Sequence, residues 1–162
     1  KEEIYRAWAI SKQWVIRVDN WLHSDQLSAF YSRALEEKQK IVFPVFSQWN
    51  KSSNPWKRRQ SLVSIFFYFR LRKKILSSKK IFTLIESSIQ DSDYYVQRGL
   101  GWCLRECFQA YPDATYSYIY DRSHLFSSIA FTTSCEKMSL SEKKQLKKIR
   151  KLKKNIIFPQ KS

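Results

Sequence analysis

Only two glycines occur in this chain of 162 residues, and both fall inside one helical pattern rather than at turns. Four prolines complete the supply of residues suited to tight reversals. Folds made of many strands need such residues at one turn after another, so a strand-and-turn architecture is disfavoured and helices are expected throughout. The stretch holding the glycines, Asp93 to Tyr111, carries the pattern most clearly. Asp93 is a good N-cap, and at about 100° per residue Val96, Leu100, Cys103, Leu104, Cys107 and Tyr111 form one apolar stripe. Trp102 falls on the opposite side with Tyr95, Arg98, Arg105 and Gln109, where an indole does not serve to fill a core. Gly99 and Gly101 lie just before it, each costing about 1 kcal/mol in a helix interior. Close approach by another body is implied, either a neighbouring helix or the backbone of a ligand.

The remaining segments follow the same period. Residues 1–16 predict a helix with Ile4, Ala7 and Trp8 facing inward and Trp14 as a further inward candidate. Asp19 or its neighbour caps a second helix running to about Glu37, with Trp21, Leu22, Leu27, Phe30, Tyr31 and Leu35 as its apolar content. Residues 42–49 are a shorter helical or extended piece. Asn54-Pro55 supplies an N-cap followed by proline at the first helical position, and the helix it opens is expected to reach about Leu71. Its nearly continuous apolar run after Leu62 suggests a central place. Further helices are expected over Lys79–Gln90, Asp113–Tyr120 and Leu125–Cys135, and Ser139-x-x-Glu142 reads as a capping box opening a basic helix. Two cap-plus-aromatic helix starts, at Asn54 and Asp93, lie 39 residues apart, each after a shorter helix and a turn. Helical pairs at this pitch are the mark of HEAT-like repeats. The expected fold is all-α, an α-solenoid or α-α superhelix of about three helix pairs, with an irregular helical bundle as the alternative. Residues 1–136 form the repeat domain and residues 137–162 a basic helix and tail. The chain starts without Met inside a helical pattern, so residues are expected before Lys1.

Net charge is +16, and residues 137–162 hold ten Lys or Arg against one Glu. The remainder is also basic, which points to a polyanionic partner, nucleic acid before membrane. No apolar run reaches the roughly 18 residues that a bilayer span requires. Three cysteines do not make a disulfide framework. Cys103 and Cys107 share a helix face without a nearby His, and read as small buried apolar residues rather than metal ligands. A reducing cytoplasm, a monomer, and no cofactor or metal are the corresponding expectations.

Candidate binding residues gather at helix starts. Trp56 and Arg59 are i, i+3 neighbours in a first turn, where free backbone N–H groups and the helix dipole favour a phosphate, and Lys57 and Arg58 add charge. Arg98, Trp102 and Arg105 form the second group. Asp19 is an acidic group in a basic neighbourhood, open to reading as an N-cap, an ion pair with Arg17, or a functional carboxylate.

The stretches SNPWKRRQSLVS, DYYVQRGLGWCLRE and SKQWVIRVDNW resemble the DNA alkylation repair family, AlkD-like alkylpurine DNA glycosylases made of HEAT-like repeats. The similarity runs from about Ser11 to Pro112, less clearly to Lys151, and is most specific at Gln97-x-x-x-Gly101-Trp102-x-Leu104-Arg105-Glu106. It implies a concave basic groove that holds duplex DNA and excises cationic N3- or N7-alkylated purines. By motif match it places Asp19 on the family's catalytic aspartate, Arg59 on a backbone-contacting arginine and Trp102 on one of two groove tryptophans. The match to the other groove tryptophan is Val15, with Trp14 adjacent as a DNA-facing indole and Trp21 a short step beyond. The family's N-terminal helices have no counterpart before Lys1. A non-catalytic module that binds duplex nucleic acid is the alternative function.

Overall fold

The computed structural model describes residues 2–157, and among them every regular element is helical. Nine α-helices follow one another: α1 Glu2–Ser11, α2 Trp21–Glu37, α3 Gln39–Trp49, α4 Pro55–Phe66, α5 Ser78–Ile85, α6 Tyr94–Ala110, α7 Pro112–Arg122, α8 Ser128–Ser134 and α9 Leu140–Ile157. Residues 158–162, at the end of the expected tail, lie outside the described residues.

Capping fixes most of the helix starts. The side chains of Asn20, Asn54, Asp93 and Ser127 accept hydrogen bonds from the backbone N–H groups of His23, Trp56, Val96 and Ala130. Each satisfies a donor that the first helical turn leaves without a partner. At α9 the expected capping box is reciprocal: Glu142 N–H donates to Ser139 Oγ at 3.3 Å, and Ser139 N–H donates to the Glu142 carboxylate at 2.7 Å. The Ser139 hydroxyl, donating at 2.6 Å, and then the Ser139 N–H hold the Glu142 carboxyl below its ordinary pKa.

Helices α2, α4, α6 and α8 pack in succession, with α3 and α7 flanking them and α5 and α9 lying against α7. The α6 stripe is the centre of this arrangement, since Val96, Leu100, Cys103, Leu104 and Cys107 are all fully buried. Burial also pushes the Cys107 thiol up to about 11 and the Cys103 thiol well above its ordinary value. The α2–α4 contact is built from small polar residues instead. Gln60 Nε2 donates to Ser24 O, Ser28 Oγ and Ser64 Oγ at 2.7–3.1 Å. Serines at this contact let the two backbones approach and satisfy the buried Gln60 amide nitrogen, while Gln60 Oε1 has no partner among the described residues. Trp8, Tyr31, Phe46 and Trp49 close the N-terminal end, with Trp8 edge-on to Tyr31 at 5.1 Å.

Both glycines of α6 are explained by neighbouring helices. A Cβ on Gly101 would stand 2.8 Å from Thr133 Cβ and 2.9 Å from Ala130 O on α8. A Cβ on Gly99 would meet Arg59 Cγ of α4 at 3.3 Å. The inward-facing helix, rather than a ligand backbone, is what approaches closely.

Three expectations need correction. The first helix ends at Ser11, and Lys12–Arg17 form a 3-10 turn in which Val15 is buried while Trp14 and Ile16 face solvent. Ala7 is exposed, leaving Trp8 as the anchor of α1. The helix from Pro55 stops at Phe66, not Leu71, because Phe67 turns extended and Tyr68 adopts a left-handed conformation at φ 53°.

Part of the basic charge of α9 is structural. Arg150 donates to Ser123 O and Phe126 O at 3.0 and 2.8 Å, and Lys153 Nζ donates to Tyr120 O and Asp121 O at 2.9 and 3.0 Å. These cations satisfy carbonyls at and just beyond the C-terminus of α7, where the helix dipole is negative. Leu146, fully buried, anchors the same face.

Gly101→Ala should destabilise the protein by about 1–3 kcal/mol, the overpacking cost exceeding the helix-propensity gain. Gly99→Ala should cost less than Gly101→Ala, because its Cβ would stand 3.3 Å from Arg59 Cγ and ask for a smaller displacement than the 2.8 Å contact with Thr133; thermal melts of the two variants make the comparison. The thiols should react with an alkylating reagent at neutral pH only after unfolding, since little thiolate is present; mass spectrometry with and without denaturant checks this.

Candidate nucleic-acid interface

Side chains from four successive helices converge on one cavity of about 490 Å³. Trp21 and Asp25 come from α2, Arg59 and Val63 from α4, and Tyr94, Tyr95, Arg98, Trp102 and Arg105 from α6. Thr133 of α8 and Glu136 just beyond it close the far side. The α6 residues share a face because 95, 98, 102 and 105 follow the i, i+3, i+4 spacing. Trp21 and Asp25 meet the cavity for the same reason, one turn apart at the start of α2.

Arg59 organises this face. Its guanidinium donates to Asp25 Oδ1 at 2.9 Å and to Tyr95 O at 3.1 Å. The Arg59 side chain is 8% exposed and that of Asp25 28%. Burial lowers the Arg59 pKa, and the charge and hydrogen bond of Asp25 work against that fall. The pair leaves Asp25 Oδ2 without a hydrogen-bond partner among the described residues. On the other side, Arg105 donates to the Glu106 and Glu136 carboxylates at 2.8 Å each, with its guanidinium 5.8 Å from the Trp102 ring. Burial alone would lower the Arg105 pKa, but the two carboxylates raise it overall. Arg98 is exposed and forms no ion pair among the described residues. It is the cavity-lining cation left to meet an incoming anion.

The sequence-derived candidates separate into groups. Arg59, Arg98, Trp102 and Arg105 come together at the cavity. Trp56 packs on the lining residue Tyr95 with rings tilted 31° at 4.9 Å, and Lys57 beside it is half-buried; neither lines the cavity. Arg58 lies outside the cavity lining. It pairs bidentately with Asp91 at 2.6 and 3.1 Å and donates to Ser52 O and Ser53 O at 2.8 and 2.9 Å, fastening one turn to another. Arg59 likewise is buried and ion-paired, so its donors do not offer the bidentate phosphate contact expected of it.

Asp19 is not brought into this cavity. It precedes the cap Asn20, its side chain is 75% exposed, and its Oδ1 accepts from Asn20 Nδ2 at 2.7 Å and lies 2.9 Å from His23 Nδ1. His23 and Trp14 line a separate shallow groove with Arg17 and Leu27. Val15 is 1% exposed and belongs to the core, so the second indole at the cavity is Trp21. Trp21, counted in the apolar content of its helix, is 55% exposed. The spacing Trp21-x-x-x-Asp25, directly after a capping Asn20, is the signal in the sequence that marks the pair.

The arrangement defines a helical protein with an aromatic-lined, cation-bearing cavity suited to a polyanion. A family model described as DNA alkylation repair enzyme matches residues 1–138, and the chain belongs to that family. This makes it an enzyme family member in DNA repair. A comparison with curated proteins gives no match. Helix α9 lies beyond the matched residues. Among the described residues no helix is long and apolar enough to cross a membrane.

Arg58→Ala should cost about 3–5 kcal/mol of stability, because it leaves the Asp91 carboxylate buried without its charge partner; chemical denaturation measures the loss. Lys57→Ala, which removes no such contact, should stay within about 0.5 kcal/mol.

Proposed function

We propose that this protein is a DNA glycosylase that releases positively charged N3- or N7-alkylated purines from duplex DNA, with Asp25 rather than Asp19 as its catalytic carboxylate. The observation that carries the reading is the convergence of Asp25, Trp21, Trp102 and the unpaired Arg98 on one cavity. Succession of α2, α4, α6 and α8 along that face supports a HEAT-like superhelix whose concave side is the groove.

Alkylation at N3 or N7 makes the purine a cationic leaving group. The N-glycosidic bond breaks with its electron pair going to the base, which departs neutral, while positive charge develops at C1′ of the deoxyribose. A preorganised carboxylate stabilises that charge and orients the water that adds to C1′. The water proton passes to Asp25 or to solvent. Indole faces of Trp21 and Trp102 attract the same developing cation. Arg98 holds a phosphate beside the sugar. Arg59 acts through Asp25, fixing its position.

One observation favours a second reading. Asp25 is already ion-paired with Arg59, which is also what a structural bridge in a non-catalytic duplex-binding module would look like. That module would bind DNA with the salt dependence of phosphate contacts and release no base.

Base release from a duplex containing N7-methylguanine separates the two. Asp25→Asn, which keeps an acceptor for Arg59, should slow release by about 100-fold or more while DNA binding persists; Asp19→Asn should act like wild type. Release insensitive to Asp25→Asn would sink the assigned mechanism, and binding without release by the wild type would establish the module.

A further inference from the structure

Beside the cavity just described lies a second one, of about 400 Å³, and Trp102 and Arg105 are the wall between them. Its other side is the segment that follows α4. Phe67 tilts against Trp102 at 5.9 Å between ring centroids, and Tyr68 stands edge-on to Phe67 at 4.7 Å. Tyr68 is the sole described non-glycine residue with positive φ, at φ 53° and ψ 35°. A side chain in that region crowds the following carbonyl, so its persistence points to a use at the site. The segment is held firmly. Arg70 donates to Gln109 of α6, Arg72 donates to Ala29 O at 3.1 Å, and the backbone N–H groups of Lys73 and Lys74 donate to Glu36 at 2.6 and 3.2 Å.

The outcome of this bracing is exposure. Tyr68 is 59% and Leu71 76% exposed, although an apolar run of this kind would be expected to fill the core. Cations stand beside the aromatic surface: Arg70, Arg105 and Lys137 line the cavity, with Glu106 the carboxylate among them. An aromatic platform with a cationic rim matches a nucleobase and its phosphate, since every base offers a π-face. A purely apolar partner would not call for the cations.

We propose that this second cavity is a subsite for an unstacked nucleobase of the same duplex, next to or opposite the damaged nucleotide, with Tyr68 as its stacking platform. It rests on the reading of the first cavity as the groove for DNA. Continuity through Trp102 means that a duplex lying over the first cavity carries its neighbouring nucleotide across the second.

Two measurements on the full chain test the subsite, using a duplex with a tetrahydrofuran abasic analogue and 5-iodouracil placed opposite it or one position away. Illumination should crosslink the base to the tryptic peptide of residues 60–70, which contains Tyr68, and the iodouracil position that reacts distinguishes the opposite from the adjacent nucleotide. Tyr68→Gly removes the ring while suiting the left-handed backbone, so its melting temperature should equal or exceed that of wild type. Its affinity for the duplex should fall about 5- to 150-fold, the range for loss of one base–aromatic stack. Tyr68→Phe should restore binding. A Tyr68→Gly protein that binds as tightly as wild type, or crosslinks confined to other peptides, overturns the subsite. The readouts need no base release, so a wild type that crosslinks at Tyr68 but releases no base removes the glycosylase reading and leaves this one standing.

Discussion

A buried guanidinium ties three helices of this protein together. Arg59 belongs to α4, bonds the Asp25 carboxylate of α2, and reaches the Tyr95 carbonyl of α6. It fits there because Gly99 of α6 presents no side chain where the Arg59 stem crosses. Charge buried in this way stabilises little by itself and penalises loss of either partner heavily. Its effect is positional: Asp25 is held at the cavity wall with one oxygen bound and the other free of hydrogen bonds within the described chain. The indoles, Arg98 and the aromatic segment after α4 all take their places relative to that fixed point.

Much of the fold was legible in the residues. The α6 stripe, the caps at Asn54 and Asp93 and the reciprocal Ser139–Glu142 box follow from local spacing and local hydrogen bonding, which sequence displays directly. Glycine at two helix-interior positions announced a close approach, and helices α4 and α8 supply it. Trp102 on the face away from the stripe was legible for the same reason. What failed was anything that depends on the partner of a side chain. Arg58 and Arg59 are adjacent basic residues in one helical turn, yet one clamps two turns and the other anchors a carboxylate. Nothing local to the pair tells them apart.

Asp19 and Asp25 show the same limit more sharply. Both sit near the start of α2, and motif likeness favoured the first. Asp19 precedes the cap and points to solvent beside His23, whereas Asp25 is one full turn after Trp21 and shares its face. Counting helical phase from Asn20, rather than matching letters, puts the second beside Trp21 at the cavity. The end of α4 was hidden for a different reason, because a tyrosine in a left-handed conformation is disfavoured locally and is kept only by contacts made far along the chain.

The contact between Gly101 and α8 has a consequence for how such a groove can change. Thr133 and Ala130 meet α6 almost backbone to backbone, so the separation of these two walls is set by main-chain dimensions. Rotamer changes cannot widen it, and larger residues cannot narrow it without displacing a helix. Variation in what the groove accepts is therefore channelled into residues that project over its rim, such as Tyr94, Arg98 and Tyr68, while the gauge of the groove itself stays constant.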